Sequence, residues 1–433
     1  MDTLALLESG RLAGATRLDL ACGLTTFPQA IFTLADTLEV LNLSGNALSA
    51  LPDDLHRLRR LKVLFCSDNA FTELPAGLGR CEQLSMVGFK ANRIATVPAS
   101  ALPPQLRWLI LTDNCIEQLP QALGHCRQLQ KLMLAGNRLQ ALPESLAQLH
   151  QLELLRLSAN QLRQLPDWLL TLPRLAWLAF AGNLLGQAFS APDGLALKTQ
   201  VRWSELELGA RLGEGASGVI QQARLATHQT VAIKLYKGAM TSDGSPLNEM
   251  DACIVAGEHP QLIKILGQLD EHPSGLHGLI MELIDPGFIN LAGPPSLESC
   301  TRDIYPADLR LPPGAGLRLL RAMASVGAHL HALGINHGDF YGHNILYREE
   351  GDCLLGDFGA ASFYPKSEKR IAPLLERIEV RAFGILLEEV LQRCDCADET
   401  LWALQRECVQ SQVPARPSFA QISQRLAEPT ACH

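Results

Sequence analysis

The chain has 433 residues, 47% of them hydrophobic, 5% aromatic and 19% charged, with a formal net charge of −8. This composition supplies enough apolar material for large cores and excludes a disordered chain. The acidic excess falls after residue 190, and no segment is basic enough to predict nucleic-acid binding.

From Leu38 onward the string LxxLxLxxNxLxxLP recurs, placing Asn46, Asn69, Asn92, Asn114, Asn137, Asn160 and Asn183 about 23 residues apart. A divergent opening copy has Gly23 where the asparagine would stand, so eight units are expected. In each unit a short strand such as Leu41-Asn42-Leu43 turns its leucines inward, and the asparagine bonds main-chain groups of the following turn and of neighbouring coils. One unit cannot bury its own apolar face, so the units must stack. The pattern resembles the leucine-rich repeats of the LP-containing kind, which implies an α/β repeat solenoid with a strand-lined concave face. Side chains alternate along a strand, so the residues flanking each central leucine should face outward there. Most are apolar, among them Val40, Phe65, Met86, Trp108, Ile110, Met133, Leu154 and Trp177. A contiguous apolar stripe of this kind predicts that the face binds a protein, either a partner or the rest of this chain.

The periodicity ends after Asn183-Leu184-Leu185. Residues 1–187 are read as the repeat domain, 188–203 as a linker able to dock, and 204–428 as a second domain.

That domain opens with Leu212-Gly213-Glu214-Gly215-Ala216-Ser217-Gly218-Val219, flanked on both sides by β-prone sequence. The context predicts a strand–turn–strand hairpin whose glycines admit close approach of phosphates, rather than a dinucleotide fold. Val231-Ala232-Ile233-Lys234 then gives a strand ending in one cation. That cation needs a carboxylate: Glu249, on the helical stretch NEMDACIVA, is the first choice and Glu258 the alternative. Met281 lies in GLIMELID. Next come His337-Gly338-Asp339-Phe340-Tyr341-Gly342-His343-Asn344 and Asp357-Phe358-Gly359. Glu379-Val380-Arg381-Ala382-Phe383-Gly384 and Arg416-Pro417-Ser418-Phe419 follow.

In this order the motifs resemble those of eukaryotic-like protein kinases. The resemblance implies an α+β two-lobed domain that uses ATP and Mg²⁺. It implies that Gly213, Gly215, Gly218 and Val219 cover the nucleotide. Ala232, Met281, Glu282 and Ile284 would surround the adenine, with Met281 guarding its pocket, and Lys234, held by Glu249, would position the phosphates. Asp339 would accept or orient the acceptor hydroxyl, while Asn344 and Asp357 would hold the metal. His337 is expected to be structural and His343 a bystander.

Three departures stand out. Gly338 replaces the arginine that meets a phosphorylated activation loop in the family. The segment from Gly359 to Glu379 is short and lacks an APE, which points to a bacterial type and leaves Arg416 either without a carboxylate or paired with Glu376. A long Pro/Gly-rich stretch, PGFINLAGPPSLESCTRDIYPADLRLPPGAG, follows the Met281 strand as a lid, a substrate contact or packed loop. Two other functions fit parts of the pattern. HGDxxxxN also resembles small-molecule phosphotransferases of the aminoglycoside and choline type. The short activation segment fits a non-catalytic nucleotide-binding scaffold.

The 12 cysteines include no CxxC, and the closest pair is Cys394 with Cys396. This pattern predicts reduced thiols rather than a disulfide framework or a zinc site. The opening MDTLALLESGRL lacks a basic region followed by an apolar core, and no apolar run approaches the ~20 residues that span a bilayer. A cytoplasmic protein without membrane contact is expected.

Overall fold

The computed structural model describes residues 3–192, 194–195, 197, 199–238, 240–241, 243–394 and 398–428. Cys396, one of the close cysteine pair, lies outside the described residues. Two compact units divide at Leu172 and Pro173.

The first unit opens with helix α1 (Thr3–Glu8) and carries seven short strands: β1 (Arg17–Asp19), β2 (Val40–Asn42), β3 (Val63–Phe65), β4 (Met86–Gly88), β5 (Trp108–Ile110), β6 (Lys131–Met133) and β7 (Leu154–Arg156). They form a parallel sheet in strict register, as in Leu41 opposite Leu64 and Leu109 opposite Leu132. Turns of 3-10 helix return the chain on the opposite side. The inward leucines are fully buried, Leu41, Leu64, Leu132 and Leu155 among them. The asparagine ladder forms as expected. Asn137 Nδ2 donates to Leu111 O at 2.8 Å and Leu134 O at 3.0 Å, and its Oδ1 accepts Ile116 N–H at 3.0 Å. The residue before each ladder asparagine has a left-handed backbone, at Gly45, Asp68, Ala91, Asp113, Gly136 and Ala159, so each coil turns at the same point. On the outward face Val40, Phe65, Trp108 and Ile110 are half-buried, whereas Met86, Met133 and Leu154 are buried. Phe65 meets Trp108 edge-on, and Lys131 lies over the Trp108 ring at 4.3 Å.

The second unit begins with the strand of the last repeat, β8 (Trp177–Ala179). A six-stranded sheet follows, built from β9 (Gln200–Arg202), β10 (Leu206–Glu214), β11 (Gly218–Leu225), β12 (Thr230–Tyr236), β13 (Ile265–Asp270) and β14 (Gly278–Glu282), in the order β10-β11-β12-β14-β13-β9. Alternation along β12 explains its packing. Val231 and Ile233 enter one apolar cluster with Ile280 and Leu269, while Ala232 and Tyr236 enter another with Leu279 and Met281. Helix α2 (Pro246–Ala256) covers the second cluster with Met250 and Ile254. It starts at an N-cap, Ser245 Oγ accepting Leu247 N–H, with proline in its first turn, and stops at Gly257 with φ +63°.

The remainder is mainly helical. It comprises β15 (Ile289–Asn290), α3 (Pro313–Ala332), β16 (Ile335–Asn336), β17 (Ile345–Tyr347), β18 (Cys353–Leu355), β19 (Ser362–Phe363), α4 (Ala372–Arg393), α5 (Glu399–Val409) and α6 (Phe419–Ala427). Helix α4 is buried on every side from Ile378 to Leu387, as a central helix must be. α6 begins with a capping box, Ser418 with Gln421. The long stretch after β14 is not a loose lid. Its β15 pairs with β17, Asp303 is buried, and Tyr305 Oη donates to Glu389 Oε2 at 2.9 Å.

Candidate active site

A cavity of about 280 Å³ lies between the sheet, α2 and the Asp357 turn. Gly215, Gly218, Ile220, Lys234, Glu249, Met281, Asp357 and Gly359 all line it.

Its upper wall is the β10–β11 hairpin. Gly215 N–H donates to Gly218 O at 2.9 Å, which closes the turn. A Cβ on Gly218 would fall 2.4 Å from Leu235 O, so only glycine lets β11 approach β12 this closely. Ile220, not Val219, faces the cavity. Side chains alternate along β11, and Ile220 stands opposite Lys234 while Val219 stands opposite Leu235. Gly213 lies in β10 outside the cavity wall, opposite Ile220.

Lys234 forms an ion pair with Glu249 across the cavity wall, with side-chain exposures of 15% and 2%. The helix register that follows from the Ser245 cap turns Glu249 inward. Burial pulls the Lys234 ammonium down, but the Glu249 charge and hydrogen bond outweigh it and leave the lysine raised. Glu258 is exposed and pairs instead with Lys264 at 3.3 Å.

Ala232 packs beside Met281, its partner across β12 and β14. Glu282 ends β14 exposed, its N–H donating to Lys264 O at 2.9 Å. Neither it nor Ile284 lines the cavity.

The floor is formed by residues 355–359, from the end of β18 to the Asp357 turn, and neither Asp339 nor Asn344 is among the residues that line the cavity. Asn344 Nδ2 donates to Asp339 O and to Asp339 Oδ2, both at 3.0 Å. Asp357 has a left-handed backbone, φ +52°, and its Oδ1 accepts Gly359 N–H at 3.1 Å. His337 is fully buried. Its ring bonds Gly356 O at 3.0 Å through Nε2 and lies 4.9 Å from the Phe358 ring. It ties the Asp339 loop to the Asp357 turn, as a structural residue would. Glu379 on α4 holds the same loop from behind, Oε2 accepting His337 N–H at 3.1 Å and Oε1 accepting Gly338 N–H at 2.6 Å. Burial would push the Glu379 carboxyl up, but these donors and His331 hold it below the usual range.

One residue departs from its expected role, and Arg416 takes the first of its two expected alternatives, without a carboxylate. His343 is no bystander: its Nδ1 bonds Asp303 Oδ1 at 2.7 Å and its N–H donates to Asp303 Oδ2 at 2.9 Å. The long stretch after β14 is thereby fastened to the catalytic loop. Arg416 does not use Glu376, whose Oε1 accepts Phe419 N–H at 2.8 Å. Its guanidinium donates to three main-chain carbonyls, those of Gln410, Arg377 and Pro173, at 2.8 to 2.9 Å. Burial pulls it down to about 9.

Comparison with known proteins agrees with this geometry. Residues 206–381 match the protein kinase domain. Residues 37–58, 82–139 and 127–185 match leucine rich repeats. A probable serine/threonine-protein kinase of Arabidopsis thaliana is 28% identical over 171 residues, covering 39% of this chain and 22% of that protein. CBL-interacting protein kinase 22 of Oryza sativa is 28% identical over 191 residues, covering 40% of each chain. CTD kinase subunit alpha of Schizosaccharomyces pombe is 26% identical over 161 residues, covering 36% of this chain and 25% of that one. The chain thus spans less than half the length of these curated relatives. Among the described residues no helix is long and apolar enough to cross a membrane. Stretches that match leucine rich repeats thus precede a stretch that matches the protein kinase domain, and the chain is similar to serine/threonine protein kinases.

Proposed function

We propose that the second unit transfers the γ-phosphoryl group of ATP to a hydroxyl of a serine, threonine or tyrosine side chain in a protein. The observation that carries this reading is the buried Lys234–Glu249 pair on the wall of a cavity that also bears Asp357 and the glycine turn. A lysine kept charged at such a site neutralises phosphate oxygens at a fixed position.

Asp339 takes or orients the proton of the acceptor hydroxyl. The acceptor oxygen then bonds to the γ-phosphorus as the bond from that phosphorus to the β–γ bridging oxygen breaks and ADP leaves. Asn344 fixes Asp339 through its two hydrogen bonds, and because its Nδ2 is committed to them, its Oδ1 remains as an acceptor. That oxygen and the Asp357 carboxylate form a hard donor set suited to Mg²⁺, which takes one or two protein oxygens and completes its shell with phosphates. Bound there, Mg²⁺ would neutralise charge on the phosphate oxygens. Gly215, Gly218 and Ile220 cover the nucleotide, and Ala232 and Met281 flank its base.

Residues 1–187 are read as the repeat domain, with the outward positions from Val40 to Leu154 as the face that recruits a protein partner. A cytoplasmic location fits the absence of a membrane-crossing helix among the described residues. The test is an incubation of the full chain with γ-labelled ATP, protein substrates and small alcohols. Label on a protein hydroxyl supports the reading. Label on small alcohols alone would move the function to a metabolite kinase, and no turnover would leave a nucleotide-binding scaffold.

A further inference from the structure

The last repeat's strand lies against the catalytic loop of the same compact unit, and its contacts are many. Trp177 is 1% exposed and stacks on Tyr341, ring centroids 4.1 Å apart and planes 6° from parallel. Its Nε1 donates to Phe340 O at 3.3 Å. Asn336 Nδ2 donates to Leu178 O at 2.7 Å, and Phe180 N–H donates to Ser362 Oγ at 2.9 Å. Just upstream, Arg416 donates to Pro173 O at 2.8 Å and Arg381 Nε donates to Arg174 O at 3.0 Å. Pro173, Arg174, Trp177, Leu178 and Phe180 are therefore all held, Trp177 by Phe340 and Tyr341 of the loop itself.

Gly338 explains why the strand comes so close. Its φ is +74°, and a Cβ there would lie 2.8 Å from Leu178 O and 2.6 Å from Ala360 O. A side chain at this position cannot coexist with β8 in its present place. The loop residue immediately before Asp339 is thus packed by a main-chain carbonyl from β8 on one side and by one from the Asp357 turn on the other. Glu379 holds the loop's amides from α4, and β8 holds the opposite side at Phe340 and Tyr341.

We propose that β8 is a positioning element of the phosphoryl-transfer site, with Trp177 and the Leu178 carbonyl fixing the loop that carries Asp339 and Asn344. On this view the loop is held by the chain's own repeat strand, so its working geometry does not depend on phosphorylation of the activation segment. The inference rests on the kinase reading of the site for its catalytic consequence, and on the packing alone for its structural one.

The experiment uses the full chain with Trp177→Phe, Trp177→Ala and Asn336→Leu. Phenylalanine keeps most of the stack and loses the bond to Phe340 O. Leucine is close in size to asparagine and loses the bond to Leu178 O. Hydrogen–deuterium exchange of residues 336–346 and kcat with KM for ATP are measured, with ADP affinity as a control. Trp177→Ala and Asn336→Leu are expected to raise loop exchange roughly tenfold and lower kcat roughly tenfold, with ADP affinity within about threefold of wild type. Trp177→Phe is expected to fall between them and wild type. Treatment of the wild type with a phosphatase is expected to leave kcat within about twofold. If Trp177→Ala does not fold, Asn336→Leu and Trp177→Phe decide. Loop exchange and kcat both unchanged in the folded variants would overturn the proposal. A wild type that never turns over would sink the kinase reading, and the exchange result alone would then decide whether β8 holds the loop.

Discussion

Asn344 holds Asp339 through two 3.0 Å hydrogen bonds, one to its main-chain oxygen and one to its carboxylate. Its Nδ2 is thereby fixed, and its Oδ1 is the oxygen left for a metal. Asn344→Leu removes both functions at similar volume. We expect kcat to fall by at least about 100-fold and ADP affinity to lose its dependence on Mg²⁺. Titration calorimetry with and without Mg²⁺ checks this, and unchanged Mg²⁺ dependence would count against Asn344 as a ligand.

The Lys234–Glu249 pair sets a second expectation. Glu249→Gln keeps a hydrogen-bond acceptor but removes the charge that raises Lys234. Transfer should slow by about tenfold while the fold persists. Glu249→Ala strands a buried ammonium and should cost about 3 kcal/mol of stability. Denaturant melts of the two variants separate these effects.

His343 donates toward Asp303, and its protonated form is favoured. Burial lowers the imidazole, but the hydrogen bond and charge of Asp303, with Asp339 and Asp357 beyond, raise it above its ordinary value. A raised folded value means the pair stabilises fully below about pH 6.5 and loses that stabilisation as pH rises through the folded value. Asp303→Asn should bring the His343 titration back toward or below the ordinary value. Histidine-selective NMR titration reads it directly, and an unmoved titration would refute the pairing.

Glu389 gives a pH signature of the same sign. Burial, then the neighbouring Asp303 charge, push its carboxyl up to about 7. The folded state binds the extra proton between the ordinary carboxylate range and pH 7, so stability declines as pH rises across that window. Glu389→Gln, which retains an acceptor for Tyr305, should raise Tm by a few degrees at pH 8 and by little at pH 4.5, roughly 2 kcal/mol at the higher pH. Equal effects at the two pH values would contradict the shift.

In the repeats, Asn137→Ala leaves Ile116 N–H without its acceptor and takes one of two donors from Leu111 O and from Leu134 O, which keep Asn114 and Asn160. The orphaned N–H costs about 1–3 kcal/mol and each of the two other lost bonds about 0.5–1 kcal/mol, so a loss of roughly 3 kcal/mol is expected. Denaturant unfolding followed by far-UV circular dichroism measures it.

The repeats were legible because their signal is periodic: each leucine and asparagine recurs at a fixed spacing, and the ladder forms as that spacing requires. The Lys234 strand and the loops around Asp339 and Asp357 were legible because their residues fall in short contiguous strings. Glu249 followed from its place on the helical stretch NEMDACIVA. Val219 was read as the strand residue over the nucleotide, whereas Ile220 lines the cavity, because the spacing of the glycines does not say which face of β11 is inward. The partners of His343, Arg416 and Trp177 had no local signature. Asp303, Pro173 and Tyr341 lie far from them in the chain, and only tertiary packing brings them together. The apolar outward position at Trp177 was visible in sequence, but its burial against the catalytic loop was not.

The central claim is tested most directly by phosphate transfer from γ-labelled ATP to protein, comparing the wild type with Asp339→Asn and mapping the modified residue. The account predicts label on a serine, threonine or tyrosine hydroxyl in the wild type. It predicts a loss of at least about 100-fold in Asp339→Asn, with ADP affinity within about threefold. Equal labelling by the two proteins, or none by the wild type despite bound nucleotide and Mg²⁺, would contradict it.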